Sequence, residues 1–345
     1  MGGSVHLPRM RPLSARKSAM LSVLDVGTSK IVCLIARLDP MEQGAAARGR
    51  THGCRILGIG HQRSRGMKAG QVVDMEEAET AIRLAVDAAE RMAGVQVDNI
   101  IVCASGGRLG SQHFQAKVAV GDRAVGEADI HHVLEATCTR SARDGRAVLH
   151  SLPTSFSVDG AENIHDPKGM IGDELSAHLH VGSCDAAAVR NLGLAVERCH
   201  LTVESFVASP YASALATLAD DEAEIGATVI DFGGGTTSVA VFAGGALMHL
   251  DAVAVGGNHV TLDVARGLNV RLDGAERLKT LYGSAISSPS DERETVAIEH
   301  VGDDAGQTTH LPRSQLVRII RPRVEEIVEL VRDRLRQQGR PLHAG

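Results

Sequence analysis

The sequence predicts an α/β protein built from two like domains, and three observations carry that expectation. One pattern occurs twice, at 20–37 and at 227–242: a strand ending in Asp, a glycine and threonine turn, then a second strand. Elsewhere, short Val/Ile/Leu runs alternate with segments whose apolar residues recur at helical spacing, as a mixed sheet with covering helices requires. The 345 residues suffice for two or more domains, each with its own core.

In the second stretch the run Val229-Ile230 ends in Asp231, so a carboxylate emerges where the sheet stops. Gly233, Gly234 and Gly235 permit positive φ and let the backbone approach a ligand with no Cβ in the way. Thr236 and Thr237 add hydroxyls before Val239-Ala240-Val241 resumes the strand pattern. Such a turn can aim N–H groups at a phosphate while its Asp holds a hydrated cation. A tight hairpin with a stray Asp reads the same residues equally well. The first stretch repeats the pattern with Asp25, Gly27, Thr28, Ser29 and Lys30. Neither is a G-x-x-x-x-G-K-[ST] loop or a G-x-G-x-x-G fingerprint. The pair is more specific than either half, and predicts a nucleotide between two facing domains that each offer a phosphate loop.

Composition narrows the function. Hydrophobic residues make up 43% and charged residues 23%, as in ordinary globular proteins. Aromatics reach only 2%, with no Trp, so cores are filled by Val, Leu, Ile and Ala and base-stacking platforms are missing. A formal net charge of -6 gives no polyanion-binding field, which excludes nucleic acid as a partner. Cys33, Cys54, Cys103, Cys138, Cys184 and Cys199 are scattered without a C-x-x-C pair, the pattern of reduced, buried thiols in a cytoplasmic protein. His178 and His180 share a strand face and His131 adjoins His132, yet no regular third and fourth ligand follows. The histidines are read as surface residues. No apolar run reaches about 18 residues, the length that would span a membrane. Residues 1–19, with Arg9, Arg11, Arg16 and Lys17, are expected to form a disordered basic tail rather than a signal peptide.

In chain order, 44–53 is a small, polar hairpin tip, 56–61 a strand and 64–70 a loop. A helix starts near Asp74, which can cap it with Glu77 three residues on, and Ile82, Val86, Ala89 and Ala93 form its buried face. Residues 99–104 are a buried strand broken by Ser105-Gly-Gly107. From 107 the character changes to an inserted β–α–β–β module: a strand at 113–120, a helix at 129–143, and strands at 148–158 and 175–181. Helices at 185–195 and 211–218 flank a strand at 201–207. After the second hairpin, a strand runs into Gly256-Gly257-Asn258 and a helix whose N-terminus is another place for anions. The next helix opens with Asp273 as N-cap and Glu276 as its reciprocal partner. Residues 285–306 are polar and loop-rich. A final helix begins after Pro322 with the stripe Val324, Ile327, Val328, Val331 and Leu335 packed on a core.

These residues resemble the FtsA family of bacterial cell-division proteins, within the actin, heat-shock chaperone and sugar-kinase superfamily. The likeness runs from about Leu21 to Gly345. Its specific stretches are Ser64-Arg-Gly-Met67 leading to Gly70, Val196-Glu-Arg-Cys199, Gly244-Gly-Ala-Leu247, Gly257-Asn-His-Val-Thr261 and Arg336-Gln-Gln-Gly339. The resemblance implies an actin-like (ribonuclease H-like) two-domain fold. Subdomain 1A would span 20–106 and 185–224, an inserted 1C subdomain 107–184, subdomain 2A 225–261 with 326–345, and subdomain 2B 262–325.

It also implies an ATP site. Asp25, Gly27, Thr28, Ser29 and Lys30 match the first phosphate motif, and Asp231, Gly233, Gly234, Gly235, Thr236 and Thr237 the second. Asp25 and Asp231 would hold Mg2+, mainly through water. Gly256, Gly257 and Asn258 would line the ligand cleft, and Glu276 and Lys279 would approach the adenosine, with the capping reading of Glu276 still open. The family's following strand, second glycine-rich turn and membrane-binding C-terminal helix are missing from this sequence, so a fragment or a truncated product, with subdomain 2A incomplete, is expected. The implied function is an ATP-binding, filament-forming adaptor with at most weak ATPase activity. It would link the C-terminal tail of FtsZ to the cytoplasmic face of the inner membrane at the division site, and meet later division proteins there. The tail would dock on 2B, where Arg266, Arg271, Arg277 and Arg318 could face its acidic residues. A pilus-assembly homologue and a sugar kinase of the same superfamily are the alternatives.

Overall fold

A computed structural model describes residues 7, 8, 10, 13–41, 51–140, 145–302 and 308–337, without the side chains of 137–140. Most of the hairpin tip at 44–53, much of the N-terminal tail, the Cys138 side chain and Gly339 therefore lie outside what is described. The chain divides into two compact units. Among the described residues, the first comprises those up to Asp231 with Ser238–Ala252, and the second Phe232–Thr237 with those from Val253 onward.

In the first unit, β1 (Ala19–Val26), β2 (Lys30–Pro40) and β3 (His52–Arg63) form an antiparallel meander that sets Asp25 opposite Val32. A short ribbon, β4 (Met67–Lys68) with β5 (Gln71–Val72), then leads into α1 (Met75–Ala93). Asp74 caps α1, its Oδ1 accepting from the Glu77 N–H at 3.1 Å. Its own N–H goes to Gly66 O, so the expected reciprocal half of the capping box is replaced by a backbone bond. The helix lies directly on β3: a Cβ at Gly60 would stand 1.7 Å from Ala85 O. Ala78, Ala81, Ala85 and Ala89 join Ile82 and Val86 on the buried face, so small residues allow this close approach. β6 (Asn99–Ala104) runs parallel to β1.

The inserted segment has its own antiparallel sheet, order β7-β10-β8-β9, from β7 (Gly110–Ala124), β8 (Arg146–Val158), β9 (Ala161–Ile164) and β10 (Ile171–Asp185), with α2 (Glu127–Arg140) packed on it. Val120, Val133, Phe156, Leu175 and Leu179 form a separate core. The polar strand β9 escaped sequence reading because it pairs with β8 only at Phe156 and Val158. Pro153 is tolerated in β8 because it lies beyond β9, beside a register shift against β10. The chain returns through α3 (Ala186–Glu197) to β11 (Thr202–Ala208), which adds in parallel to β6 and completes the order β11-β6-β1-β2-β3. α4 (Ser209–Thr217) and α5 (Asp220–Ile225) precede a three-stranded sheet, β12 (Ala227–Phe232), β13 (Thr237–Ala243) and β14 (Ala246–Val253).

The second unit contains α6 (Gly257–Leu268), α7 (Leu272–Tyr282), the ribbon β15 (Thr295–Ile298) with β16 (Thr309–Pro312), and α8 (Arg313–Gln337). Val260, Val264, Leu278, Val296, Leu316, Ile320 and Ile327 make its core.

Four expectations fail here. The last helix starts at Arg313, before Pro322 rather than after it. Leu316, Val317 and Ile320 are buried, and that burial offsets the single backbone bond lost at the proline. Val328 leaves the expected stripe, with 45% of its surface exposed. His180 is fully buried, not a surface residue, and Cys54 is exposed while Cys33 and Cys184 are buried. Cys54 lies on β3, the edge strand of its sheet among the described residues. Among the described residues no helix is long and apolar enough to cross a membrane.

Candidate functional site

The first hairpin is a tight turn because Gly27 donates its N–H to Lys30 O at 3.0 Å, and a Cβ there would stand 2.9 Å from that oxygen. The turn is clasped by the loop at 64–70. Ser64 N–H donates to Ser29 O at 3.0 Å, and Gly70 N–H donates to Thr28 Oγ1 at 3.0 Å. Gly70 adopts φ +70° and packs backbone against backbone on Gly106, where a side chain on either would collide. This accounts for the last glycine of a motif that sequence alone only marked as specific.

Asp25 lies next to last in β1, in register with Cys103 of β6. Burial raises its pKa, the charge of Asp231 raises it further, and Lys30 opposes both. Asp231 accepts from Ser213 Oγ of α4 at 2.8 Å. The Cys103 thiol is pushed up to about 12 by burial and then by the same two carboxylates. Asp25, Asp231, Lys30 and Cys103 are thus one electrostatic group within the first unit. Among the described residues no set of three His, Cys, Asp or Glu side chains is arranged to hold a metal ion. Two carboxylates that repel each other instead suit a cation that keeps most of its water, as Mg2+ does.

In the second unit, the turn through Gly233, Gly234, Gly235 and Thr236 is bonded to the start of α6. Gly233 N–H donates to Thr236 O at 2.9 Å, while Gly257 N–H reaches Gly233 O at 2.9 Å and Asn258 N–H reaches Gly234 O at 2.8 Å. Gly256 has to be glycine, because a Cβ would stand 2.4 Å from Gly233 O. Thr237 is buried, and its hydroxyl donates to Val255 O at 2.8 Å. The N–H groups of Gly257 and Asn258 are therefore engaged within the protein, so the expected anion site at this helix start cannot use them.

Glu276 and Lys279 lie one turn apart on α7, 2.7 Å from each other. The capping reading of Glu276 fails. α7 begins at Leu272 with Arg271 in the N-cap position, so Asp273 falls inside the first turn and bonds the Gly274 N–H. Glu276 instead accepts from Thr261 Oγ1 at 2.5 Å. Burial disfavours its charge, but hydrogen bonds from Lys279 and Thr261 outweigh this and lower its pKa. Ser213 and Cys103 were not legible as site neighbours, because each comes from an element remote in sequence and neither sits in a motif, and the motif that ends in Thr261 did not mark it as a partner of Glu276.

Two family profiles match the chain: "Cell division protein FtsA" over residues 228–343 and "SHS2 domain inserted in FTSA" over 106–182. The FtsA of Rhizobium meliloti (strain 1021) is 50% identical over 334 residues, covering 96% of this chain and 76% of that protein. The FtsA of Pseudomonas aeruginosa is 34% identical over 94% of this chain and 75% of its own length, and that of Escherichia coli (strain K12) 32% over 92% and 74%. Among solved structures, the PilM–PilN type IV pilus biogenesis complex aligns with a TM-score of 0.60 at 14% identity, over 95% of this chain and 79% of that one. That likeness concerns the fold alone and gives the pilus alternative no support. The fold is actin-like, with an SHS2 domain inserted. With half of its residues shared with an FtsA over nearly its whole length, the chain belongs to the FtsA family of cell-division proteins.

Proposed function

We propose that the chain is a nucleotide-binding, actin-like adaptor of cell division that binds ATP with Mg2+ and assembles into filaments. It links the C-terminal tail of FtsZ to the cytoplasmic membrane at the septal ring and engages later division proteins there, with hydrolysis slow or incidental. The domain boundaries expected from the resemblance belong to this proposal. So do Asp25, Gly27, Thr28, Ser29, Lys30, Asp231, Gly233, Gly234, Gly235, Thr236, Thr237, Gly256, Gly257, Asn258, Glu276 and Lys279 as nucleotide-site residues.

The observation that carries it is the pairing of Asp25 with Asp231. Burial and the neighbouring negative charge both work against ionised Asp25, so a divalent cation relieves a cost the protein otherwise keeps. Mg2+ that keeps its water would offer water protons to both carboxylates, and the nucleotide's phosphate oxygens would complete its ligand set. Family membership supplies the division role, and the phosphate turns supply the ligand class.

Titration calorimetry of the full chain with ATP and Mg2+ tests the reading. Asp25→Asn and Asp231→Asn are each expected to weaken MgATP binding by about tenfold or more, while metal-free ATP binding changes less. Equal MgATP affinity in the wild type and both variants would sink the proposal.

A further inference from the structure

We propose that α4 is a relay coupling the position of the inserted domain to the acid pair, with His150 gripping the start of the helix and Ser213 positioning Asp231. Its effect on cation binding rests on the nucleotide-binding reading above. Every part of the relay belongs to the first unit. The inserted sheet has its own close-packed core around Val133, Phe156 and Leu175, so a displacement of that sheet is passed on whole. His150 stands on β8 of the sheet, paired with Gly182 of β10. Its Nε2 accepts the Ala208 N–H at 2.9 Å, and its ring lies against Tyr211 with centroids 4.8 Å apart. Ala208 is the N-cap residue of α4 and Tyr211 lies in its first turn. One side chain of the inserted domain therefore holds the helix start at two points. Burial pushes the His150 pKa down to about 4, which keeps the Nε2 lone pair available to Ala208.

Ser213 lies five residues beyond Ala208, about 7.5 Å along the helix axis. Its Oγ donates to Asp231 Oδ2 at 2.8 Å. That bond orients the carboxylate and leaves its other acceptor sites to the water of a cation. Little else holds α4. It has nine residues, of which Ser209, Pro210 and Ala214 are the buried ones, and no side chain caps its start. A helix this short is marginal alone, so the contacts along it set where it lies. Binding linkage is reciprocal: a partner that moves the inserted sheet would change cation affinity by the factor with which the cation changes that partner's binding.

The test measures MgATP and metal-free ATP binding to the full chain by calorimetry in His150→Leu, Ser213→Ala and the double variant. Each single change is expected to weaken MgATP binding about three- to tenfold and to leave metal-free ATP within about twofold. Because His150 acts through Ser213, the double variant is expected to match Ser213→Ala rather than multiply the two losses. His150→Gln, which keeps an acceptor for Ala208, is expected to bind like the wild type. Tyr211→Leu loosens the same grip from the helix side, and takes the place of His150→Leu in the cycle should that variant fail to fold. Losses that multiply, or MgATP affinity unchanged in either single variant, overturn the inference. So does an equal loss with and without Mg2+, which marks a merely structural role. A wild type that binds no MgATP overturns the nucleotide reading and this inference with it, whereas binding with multiplied losses overturns this inference alone.

Discussion

His150 shows how a single residue ties the inserted domain to the rest of the first unit. Its Nε2 accepts the Ala208 N–H at 2.9 Å, and its ring tilts against Tyr211 with centroids 4.8 Å apart. Burial pushes its pKa down to about 4, so the folded protein holds it neutral. The unfolded chain takes up that proton near pH 6.5. The stability His150 contributes is therefore complete above pH 6.5 and is lost as pH falls from there towards 4, by on the order of 3 kcal/mol over that window. Urea unfolding at pH 7.5 and pH 4.5 measures this. His150→Gln, which keeps an acceptor for Ala208, is expected to lose less stability across the window than the wild type, and identical losses would contradict the assignment. Glycines act at the same scale with opposite logic: Gly60, Gly106 and Gly256 are defined by what a methyl group would strike.

Among the elements, α1 shows local signals and packing in agreement. Asp74 accepts the Glu77 N–H, Gly94 closes the other end at φ 69°, and a strip of alanines meets the glycines of β3. Asp74→Ala is expected to cost about 1 kcal/mol in denaturant unfolding, the usual loss for an acidic N-cap. A cost below a few tenths would mean that the Gly66 backbone bonds to Val73 and Asp74 hold the helix start without the cap. α7 and α8 show the reverse. Asp273 and Glu276 have the spacing of a capping box, but Glu276 is drawn into the network with Thr261 and Lys279, and the helix starts two residues earlier than the box requires. In α8, buried Leu316, Val317 and Ile320 carry the helix through a proline that local rules treat as a boundary.

On the scale of the whole molecule, each unit offers a distinct chemistry. The first gathers an acid pair beside a clasped turn, and the second exposes several arginines. Arg266, Arg271, Arg277 and Arg318 of the second unit are all exposed, and Arg318 already pairs with Glu292 at 3.1 Å across to the loop before β15. A surface pair of this kind contributes about 0–1 kcal/mol, so an acidic peptide can compete for the arginine. Replacing each arginine in turn by Glu is expected to weaken binding of an FtsZ C-terminal peptide by about three- to tenfold at the positions that meet it, with the effect shrinking as salt rises. Affinity unchanged at all four positions would remove this surface as the docking site.

The sequence by itself determined the two Asp–Gly–Thr turns, the inserted module, the family, and most strands and helices. Those features are written in local periodicity and in residues whose backbone needs are strict, so one stretch of chain suffices to show them. Tertiary structure alone decided which side chains became neighbours. Ser213 reaches Asp231, Gly70 fits against Gly106, and Thr261 reaches Glu276, because helices and strands distant in the chain were brought to one place. It also decided how backbone donors are used. Gly257 and Asn258 have the spacing of an anion-binding helix start, yet their N–H groups serve the carbonyls of Gly233 and Gly234. A hydrogen bond has two ends, and a local sequence pattern specifies only one of them.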